Sequence, residues 1–301
     1  MSAGLPVEIV PRGEVQSSAV PPSERQQARR ENWRLIRRRP SFIIGVFIVL
    51  VWVACYLFSS WLVPHHPLDF RSIPHLSPRL KFPFGTDDQG RDVLSRVIAG
   101  ARDVLNVAPL GAVLGVLLGV VVGMIMGYVG GWVDQVVSRV VEAILALPVL
   151  LIALLAITTL GRSTWVVIGV IAALFTPVVA RTVRAAVVAE RDLDYVTSAK
   201  LRGESSLFVM FKEILPNVSG PIIVELTVRV GYAVFTVATL SFIGAGPQPP
   251  SPDWGVQVSD AFRNIQAGIW WTTLFPAAAI ASLVIAVNLI ADSVQSVLEA
   301  S

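Results

Sequence analysis

The sequence is poor in charged side chains and nearly free of cysteine. Asp, Glu, Lys and Arg make up 15% of its 301 residues, against roughly 25% in an average soluble domain. Its single cysteine, Cys55, can form neither an internal disulfide bond nor a cysteine-based zinc site. None of its three lysines completes the G-x-x-x-x-G-K-[ST] pattern of a phosphate-binding loop. The chain is therefore not expected to hydrolyse ATP by that route.

Histidine is equally rare, and the common catalytic patterns are absent. The three histidines, His65, His66 and His75, share one polar stretch in which Asp69 is the only close carboxylate, too few ligands for a metal site. Neither H-E-x-x-H nor G-x-S-x-G occurs. The arginines border apolar runs rather than alternate with aromatic residues, which argues against nucleic-acid binding. We expect no catalytic residue, no metal and no cofactor in this chain.

Long apolar runs are what the sequence has in excess. Hydrophobic residues make up 54% of the chain, and runs of about 20 residues with few charges are long enough to cross a bilayer. Six such spans are predicted, at residues 41–63, 104–128, 140–160, 165–188, 221–245 and 270–290. The sequence therefore predicts an all-α, multi-pass membrane protein with about six transmembrane helices.

The arginine distribution predicts the orientation of these spans. Residues 1–40 read as a mobile tail and a basic juxtamembrane helix, which favours the cytoplasm and contact with membrane lipid. An even number of spans returns the C-terminus to the same side and places the basic segment 189–217 there too. The extracytoplasmic part of residues 41–103 also carries six basic residues, which conflicts with this orientation. The basic tail and the basic segment 189–217 together outweigh it. Residues 104–301 form a core of five spans.

Glycine recurs at every fourth position of the second span. Because four residues are close to one helical turn, these glycines share one face, where a neighbouring backbone can approach closely. The predicted helix-packing residues are Gly111, Gly115, Gly119, Gly123 and Gly127. The alternative is a bent or flexible helix without a special neighbour.

One charged pair lies within the fifth span. Glu225 and Arg229 are spaced i, i+4 and can pair on one helix face. A structural ion pair near the cytoplasmic end is favoured over a role in coupling or gating. The scarcity of other charges within the spans counts against a proton- or sodium-driven transporter.

The segment 189–217 is too polar to cross the membrane. Residues 195–201 have helical composition, and Gly203 suits the left-handed position that ends a helix. Ser205 or Ser206 can begin a second short helix, 207–214, that stops at Pro216. The predicted product is a compact helix–turn–helix, with an ordinary connecting loop as the alternative.

One edge of the first short helix has small and basic side chains. Ser198 and Ala199 lie next to Lys200 and Arg202, and together they predict an exposed knob that enters a groove on another protein.

This segment resembles the EAA loop of ABC-importer permeases. The sequence DYVTSAKLRG at 194–203 is followed by ILPN at 214–217, with Thr197 and Ser198 where Glu and the first Ala are usual. Four further blocks resemble the C-type permease subunit of the dipeptide, oligopeptide and nickel branch of that family. They read FGTDDQGRDVLSR (84–96), GYVGGWVD (127–134), LSFIG (240–244) and QPP with WG (248–250, 254–255).

The resemblance implies an importer of the plasma (inner) membrane in which this chain pairs with a homologous B-type permease, two cytoplasmic ABC ATPase subunits and an extracytoplasmic substrate-binding protein. ATP and Mg would then be bound by the ATPase subunits. The residues expected at the ATPase contact are Tyr195, Thr197, Ser198, Ala199, Lys200, Leu201, Arg202, Gly203, Leu215 and Pro216. Those expected to dock the binding protein are Asp87, Asp88, Arg91, Asp92, Pro249 and Trp254, unless they form a purely structural turn.

The expected cargo is a di- or oligopeptide, moved by alternating access. Nickel, haem, glutathione or another small solute of the same family is the first alternative. A stand-alone ion-coupled transporter or channel is the second, and it would work without ATPase subunits.

Overall fold

The computed structural model describes residues 35–70 and 72–298, so most of the predicted tail, residues 1–34, lies outside the described residues. In the described part the chain forms helices and turns, with two isolated bridges and no strand, which confirms the predicted all-α fold. The helices of eight or more residues are α1 (Pro40–Leu57), α2 (Val93–Val129), α3 (Gly131–Leu145), α4 (Val149–Leu160), α5 (Thr164–Glu190), α6 (Asp194–Leu201), α7 (Ser219–Phe242), α8 (Trp254–Ala261) and α9 (Trp271–Leu298).

Five of these helices, α1, α2, α5, α7 and α9, are each long and apolar enough to cross a membrane. The predicted third span has a different shape, because α3 and α4 reach that standard only as a pair, bent by 87°. Pro148 precedes α4, and proline cannot continue the hydrogen bonding of a preceding helix. The described residues contain six apolar spans if this bent pair is one of them.

Helix α2 begins well before the predicted second span and is 37 residues long. Its start is set by Asp92, whose carboxylate accepts the backbone N–H of Ser95 at 3.1 Å. The first three turns carry Arg96 and Arg102, which lower the local hydropathy without interrupting the helix. Helix ends depend on such caps, whereas a hydropathy window detects only the apolar part.

The glycine face of α2 packs directly against α5. A Cβ atom added at Gly119 would lie 2.6 Å from Cβ of Val179, and one at Gly123 would lie 2.6 Å from the carbonyl oxygen of Ala180. The other three glycines of the predicted face meet α5 as closely: Gly111 at Ile171, Gly115 at Phe175 and Gly127 at Val187. The two backbones therefore approach along the whole length of the contact, and the neighbour lies within the subunit.

The bundle has two ends, which we name by the helices found there. At the α6 end, Arg191 donates from Nη1 to the carbonyl oxygen of Gly127 at 2.9 Å, which joins the last turns of α5 and α2. At the opposite, α8 end, the indole N–H of Trp254 donates to the carbonyl oxygen of Val97 at 2.8 Å. The predicted orientation makes the α6 end cytoplasmic.

The close contact between α2 and α5 gives the first testable prediction. We expect Gly119→Ala to lower the stability of the purified protein by about 1–3 kcal/mol, because the β-branched Val179 and the backbone of α5 leave no room for a methyl group. Thermal unfolding in detergent measures the effect.

The matched control is Gly169→Ala. Gly169 lies within α5 with no atom within 4 Å of an added Cβ, so this change should be neutral or stabilising. Equal unfolding temperatures for the two variants would contradict the assigned interface.

Candidate functional site

The predicted knob is formed by α6 and the turn that follows it. Gly203 has φ +78°, the left-handed conformation that glycine adopts without strain. The N–H of Glu204 then donates to the carbonyl oxygen of Ala199 at 3.3 Å, and that of Arg202 to Ser198 at 3.1 Å. These bonds satisfy carbonyl groups that a helix end would otherwise leave free. The chain therefore reverses direction at the position predicted from Gly203.

The second short helix is longer than predicted. Ser205 caps its start by accepting the N–H of Phe208, and the helix continues as a π-helical turn, Val209–Ile214. Pro216 does not end it but lies in the first turn of the helix Leu215–Asn217. Proline is tolerated there because residues of a first turn do not donate within their own helix. The segment consequently runs almost without a break into α7.

The buried side of α6 fixes it to the membrane helices. Val196 and Ala199 are fully buried in an apolar cluster that also contains Met124 of α2 and Val183 and Val187 of α5. The prediction that Ala199 contributes to an exposed knob is therefore wrong. Its small side chain instead lets α6 pack closely on the ends of α2 and α5.

A phenol–carboxylate contact fixes the start of α6. The hydroxyl of Tyr195 donates to Oε2 of Glu190 at 2.6 Å. Burial, together with this carboxylate, raises the pKa of Tyr195 above its usual range. Tyr195 therefore stays a neutral hydrogen-bond donor at any physiological pH, and it ties α6 to the last residue of α5.

Two basic residues add to this attachment. Lys200 donates to the carbonyl oxygen of Arg191 at 3.5 Å, and its ammonium group lies 5.3 Å from the centre of the Tyr128 ring. Near the end of α5, the guanidinium of Arg184 donates to both carboxylate oxygens of Asp134 in α3, with Nη2 and Oδ2 2.6 Å apart. No sequence pattern pairs Arg184 with Asp134, although the GYVGGWVD block includes the aspartate. The α6 end is thus a single unit that joins α2, α3, α5 and α6.

The opposite side of α6 carries apolar side chains that nothing in the described chain covers. We define the α6 surface as Leu193, Thr197, Ser198, Leu201 and Arg202, which repeat at helical spacing and are all exposed. Leu201 is 84% exposed, although a leucine gains about 1.5–3 kcal/mol on burial. The Arg202 guanidinium reaches Glu213 at 3.4 Å but remains half exposed. An apolar surface with a basic edge indicates a contact with another protein.

The remaining residues predicted for this contact lie around the α6 surface. Lys200, Gly203 and Pro216 are exposed, whereas Tyr195 and Leu215 are partly buried. The following helix adds further exposed apolar side chains, Leu207 at 65% and Phe211 at 44%.

At the α8 end, Asp87 closes a compact turn. Its Oδ1 accepts the backbone N–H groups of Gln89 and Arg91, both at 2.9 Å, and its Oδ2 accepts Nε–H of Arg91 at 2.6 Å. Arg96 adds a further guanidinium 3.6 Å from the same oxygen. These groups satisfy one another inside the fold, which is the purely structural turn predicted as the alternative to a docking site.

The predicted docking residues at this end are mostly buried. Asp87, Arg91, Asp92 and Trp254 are between 0% and 8% exposed, so the prediction that they contact a binding protein directly is wrong. Asp87 and Arg91 pair with each other, Asp92 caps α2, and Trp254 joins α8 to α2 through Val97. Asp88 and Pro249 are exposed and remain available to a partner.

Asp253 begins α8 by accepting the N–H of Val256 at 3.0 Å. Burial raises the pKa of this carboxyl group to about 6. The folded protein therefore holds the proton more tightly than the unfolded chain, whose aspartates titrate near 3.9. As pH rises from about 4 to about 6, this difference lowers the free energy of unfolding.

The Asp253→Asn variant tests this titration. Asparagine keeps the capping oxygen but cannot ionise. We expect the unfolding temperature of the variant, relative to the unchanged protein, to rise between pH 4 and pH 6 and then level off. A difference that stays constant with pH would contradict a raised pKa at Asp253.

The sequence of residues 119–301 matches the family described as "Binding-protein-dependent transport system inner membrane component". The dipeptide transport system permease protein DppC of Escherichia coli (strain K12) is 40% identical over 276 residues, which cover 89% of this chain and 92% of that protein. The di/tripeptide permease DppC of Pseudomonas aeruginosa (strain UCBPP-PA14) is 33% identical, with coverages of 90% and 91%.

A glutathione transport system permease, GsiD of Salmonella paratyphi A (strain ATCC 9150 / SARB42), is 34% identical over 282 residues, which cover 93% of each chain. The family match begins inside α2 and includes α6, α8 and the glycine-lined contact from Gly119 onward. The chain therefore belongs to the binding-protein-dependent transport system inner membrane components, the multi-pass translocation subunits of ABC importers.

Proposed function

We propose that this chain is one of two permease subunits of an ATP-driven importer that moves di- and oligopeptides by alternating access. Relatives named for dipeptides and for di- and tripeptides, at 40% and 33% identity over most of the chain, support this cargo. Glutathione is the second candidate, because a relative at 34% identity is named for its transport.

The proposed assembly contains a homologous B-type permease, two ABC ATPase subunits and an extracytoplasmic binding protein. ATP and Mg would be bound by the ATPase subunits, since this chain has no phosphate-binding loop. The α6 end would face the cytoplasm and the ATPases. The α8 end would face the binding protein, with Asp88 and Pro249 as exposed contact candidates.

The α6 surface is the observation that carries the proposal. Its leucines and Arg202 are presented by a helix whose other side is locked onto α2 and α5. Because α6 is attached in this way, a displacement of α6 moves α2 and α5 with it, whereas a flexible loop would not transmit the movement. A partner that binds the α6 surface and moves on ATP hydrolysis would thereby change the angle of those helices.

The proposal predicts the effect of charge at the α6 surface. We expect Leu201→Glu and Arg202→Glu each to weaken the binding of the ATPase subunits at least about tenfold, because one variant buries a carboxylate and the other reverses a charge. Recovery of ATPase subunits with the affinity-tagged chain measures binding, and peptide uptake in proteoliposomes measures coupling.

The matched control is Leu80→Glu, a change of the same type at a fully exposed leucine at the α8 end. It should leave ATPase recovery unchanged.

Ala199→Trp tests the buried side of α6 rather than its exposed surface. It should destabilise the protein, because Ala199 is buried. Normal ATPase recovery and uptake with both α6-surface variants would refute this docking role.

A further inference from the structure

One face of α7 is polar, lies within a membrane span and is only partly covered by the other described residues. Glu225, Arg229, Tyr232, Thr236 and Thr239 follow one another at intervals of three or four residues and therefore share this face. Tyr232 is 54% exposed, and the side chains of Glu225 and Arg229 each keep 14% of their surface exposed. We call these five residues the α7 polar face.

The uncovered side of α1 has a different character. It exposes Ile43, Phe47 and Leu50, each more than half exposed and all apolar, as expected for a surface against lipid. Charged groups are costly in lipid and normally face a protein interior or a water-filled path. The α7 polar face therefore borders the translocation path or the second permease rather than lipid.

Arg229 is held in place on this face. Its Nε–H donates to Oε2 of Glu225 at 2.8 Å, and the hydroxyl of Thr182 donates to Oε1 of the same carboxylate at 2.8 Å. Its guanidinium carbon lies 5.8 Å from the centre of the Phe175 ring and 5.2 Å from that of Tyr232. These contacts fix the orientation of the guanidinium plane.

In the ion pair of Glu225 and Arg229, only the guanidinium has hydrogen-bond donors without a described partner. Both oxygens of Glu225 are engaged, whereas neither Nη1 nor Nη2 of Arg229 donates to another described residue. Two parallel N–H donors form the edge of a guanidinium that binds a carboxylate in bidentate fashion. An anion with two oxygens is therefore the ligand that would complete this site.

The depth of Arg229 fits a ligand in transit. It is the eleventh residue of α7, so it lies about 15 Å along the helix axis at 1.5 Å per residue. That distance is about half the hydrocarbon thickness of roughly 30 Å. The site is thus remote from both the α6 surface and the α8 end.

We propose that Arg229 binds the C-terminal carboxylate of a peptide as it passes through the importer. This inference rests on the proposed function, in which the cargo has such a carboxylate. Glu225 and Thr182 hold the guanidinium, the two aromatic rings limit its rotation, and Nη1 and Nη2 receive the cargo. The other groups common to all peptides are the neutral backbone amides, which form weaker hydrogen bonds, and the terminal ammonium, which the guanidinium repels.

The test uses the complete importer with its binding protein in proteoliposomes. Dialanine and its C-terminal amide are each supplied at a concentration that saturates the binding protein. The measured quantities are uptake, ATP hydrolysis and recovery of the second permease. The unchanged protein should transport the acid faster than the amide, and Arg229→Gln should lower acid uptake at least tenfold, to the level of the amide.

Two further variants sharpen the result. Arg229→Lys keeps the charge without the bidentate edge and should restore acid uptake only in part. Thr227→Val removes a hydroxyl from the opposite side of α7, where it bonds only to the carbonyl oxygen of Ile223, and should match the unchanged protein.

Each other outcome contradicts a defined part of the account. Acid uptake by Arg229→Gln at the rate of the unchanged protein would refute the site while leaving the proposed function intact. Loss of the second permease from Arg229→Gln preparations would assign Arg229 to the subunit interface instead. An assembled, ATP-hydrolysing importer that transports neither dialanine nor its amide would refute both the peptide cargo and this site.

Discussion

The rest of the structure depends on the close contact between α2 and α5. Without Cβ atoms at five successive turns of α2, the backbone of α5 can approach to van der Waals distance along the whole span. Glycine lowers helix propensity by about 1 kcal/mol at each position relative to alanine. Close packing offsets that loss in a membrane, where burial of apolar surface provides little drive for helix association.

This contact also determines what α6 can do. Because α2 and α5 end together, their last turns form one platform on which Val196 and Ala199 pack. The Tyr195–Glu190 and Arg191–Gly127 hydrogen bonds then fix the orientation of α6 on that platform. The exposed α6 surface is thus rigidly connected to the two most closely packed membrane helices, a suitable geometry for passing a partner's movement into the bundle.

Much of this architecture could be predicted from the sequence. Apolar runs located α5 within two residues at each end, and the four-residue glycine repeat indicated a close helix contact. Other features depend on three-dimensional surroundings that no local pattern contains. Whether the methyl group of Ala199 faces a partner or the chain's own interior depends on how α6 docks. The charges of Asp87 and Arg91 suggested a surface, but they neutralise each other within a buried turn.

The bend between α3 and α4 is a separate case, because the signal was present. Pro148 lies within the predicted third span, and a proline lacks the N–H that would continue the hydrogen bonding of the preceding turn, so a helix can end or kink there. Hydropathy averages over this position and so predicts one continuous span.

The role of Arg229 also depends on its surroundings. Its i, i+4 spacing from Glu225 predicts a structural ion pair near the cytoplasmic end. The guanidinium edge without a described partner is visible only from the contacts around it.

The most direct test of the central claim is uptake of a labelled dipeptide into proteoliposomes, compared with and without the ATPase subunits. The account predicts accumulation only when both permeases, the ATPases, the binding protein and ATP are all present. Uptake by this chain alone in ATP-free vesicles would contradict it and would favour a stand-alone ion-coupled transporter or channel instead.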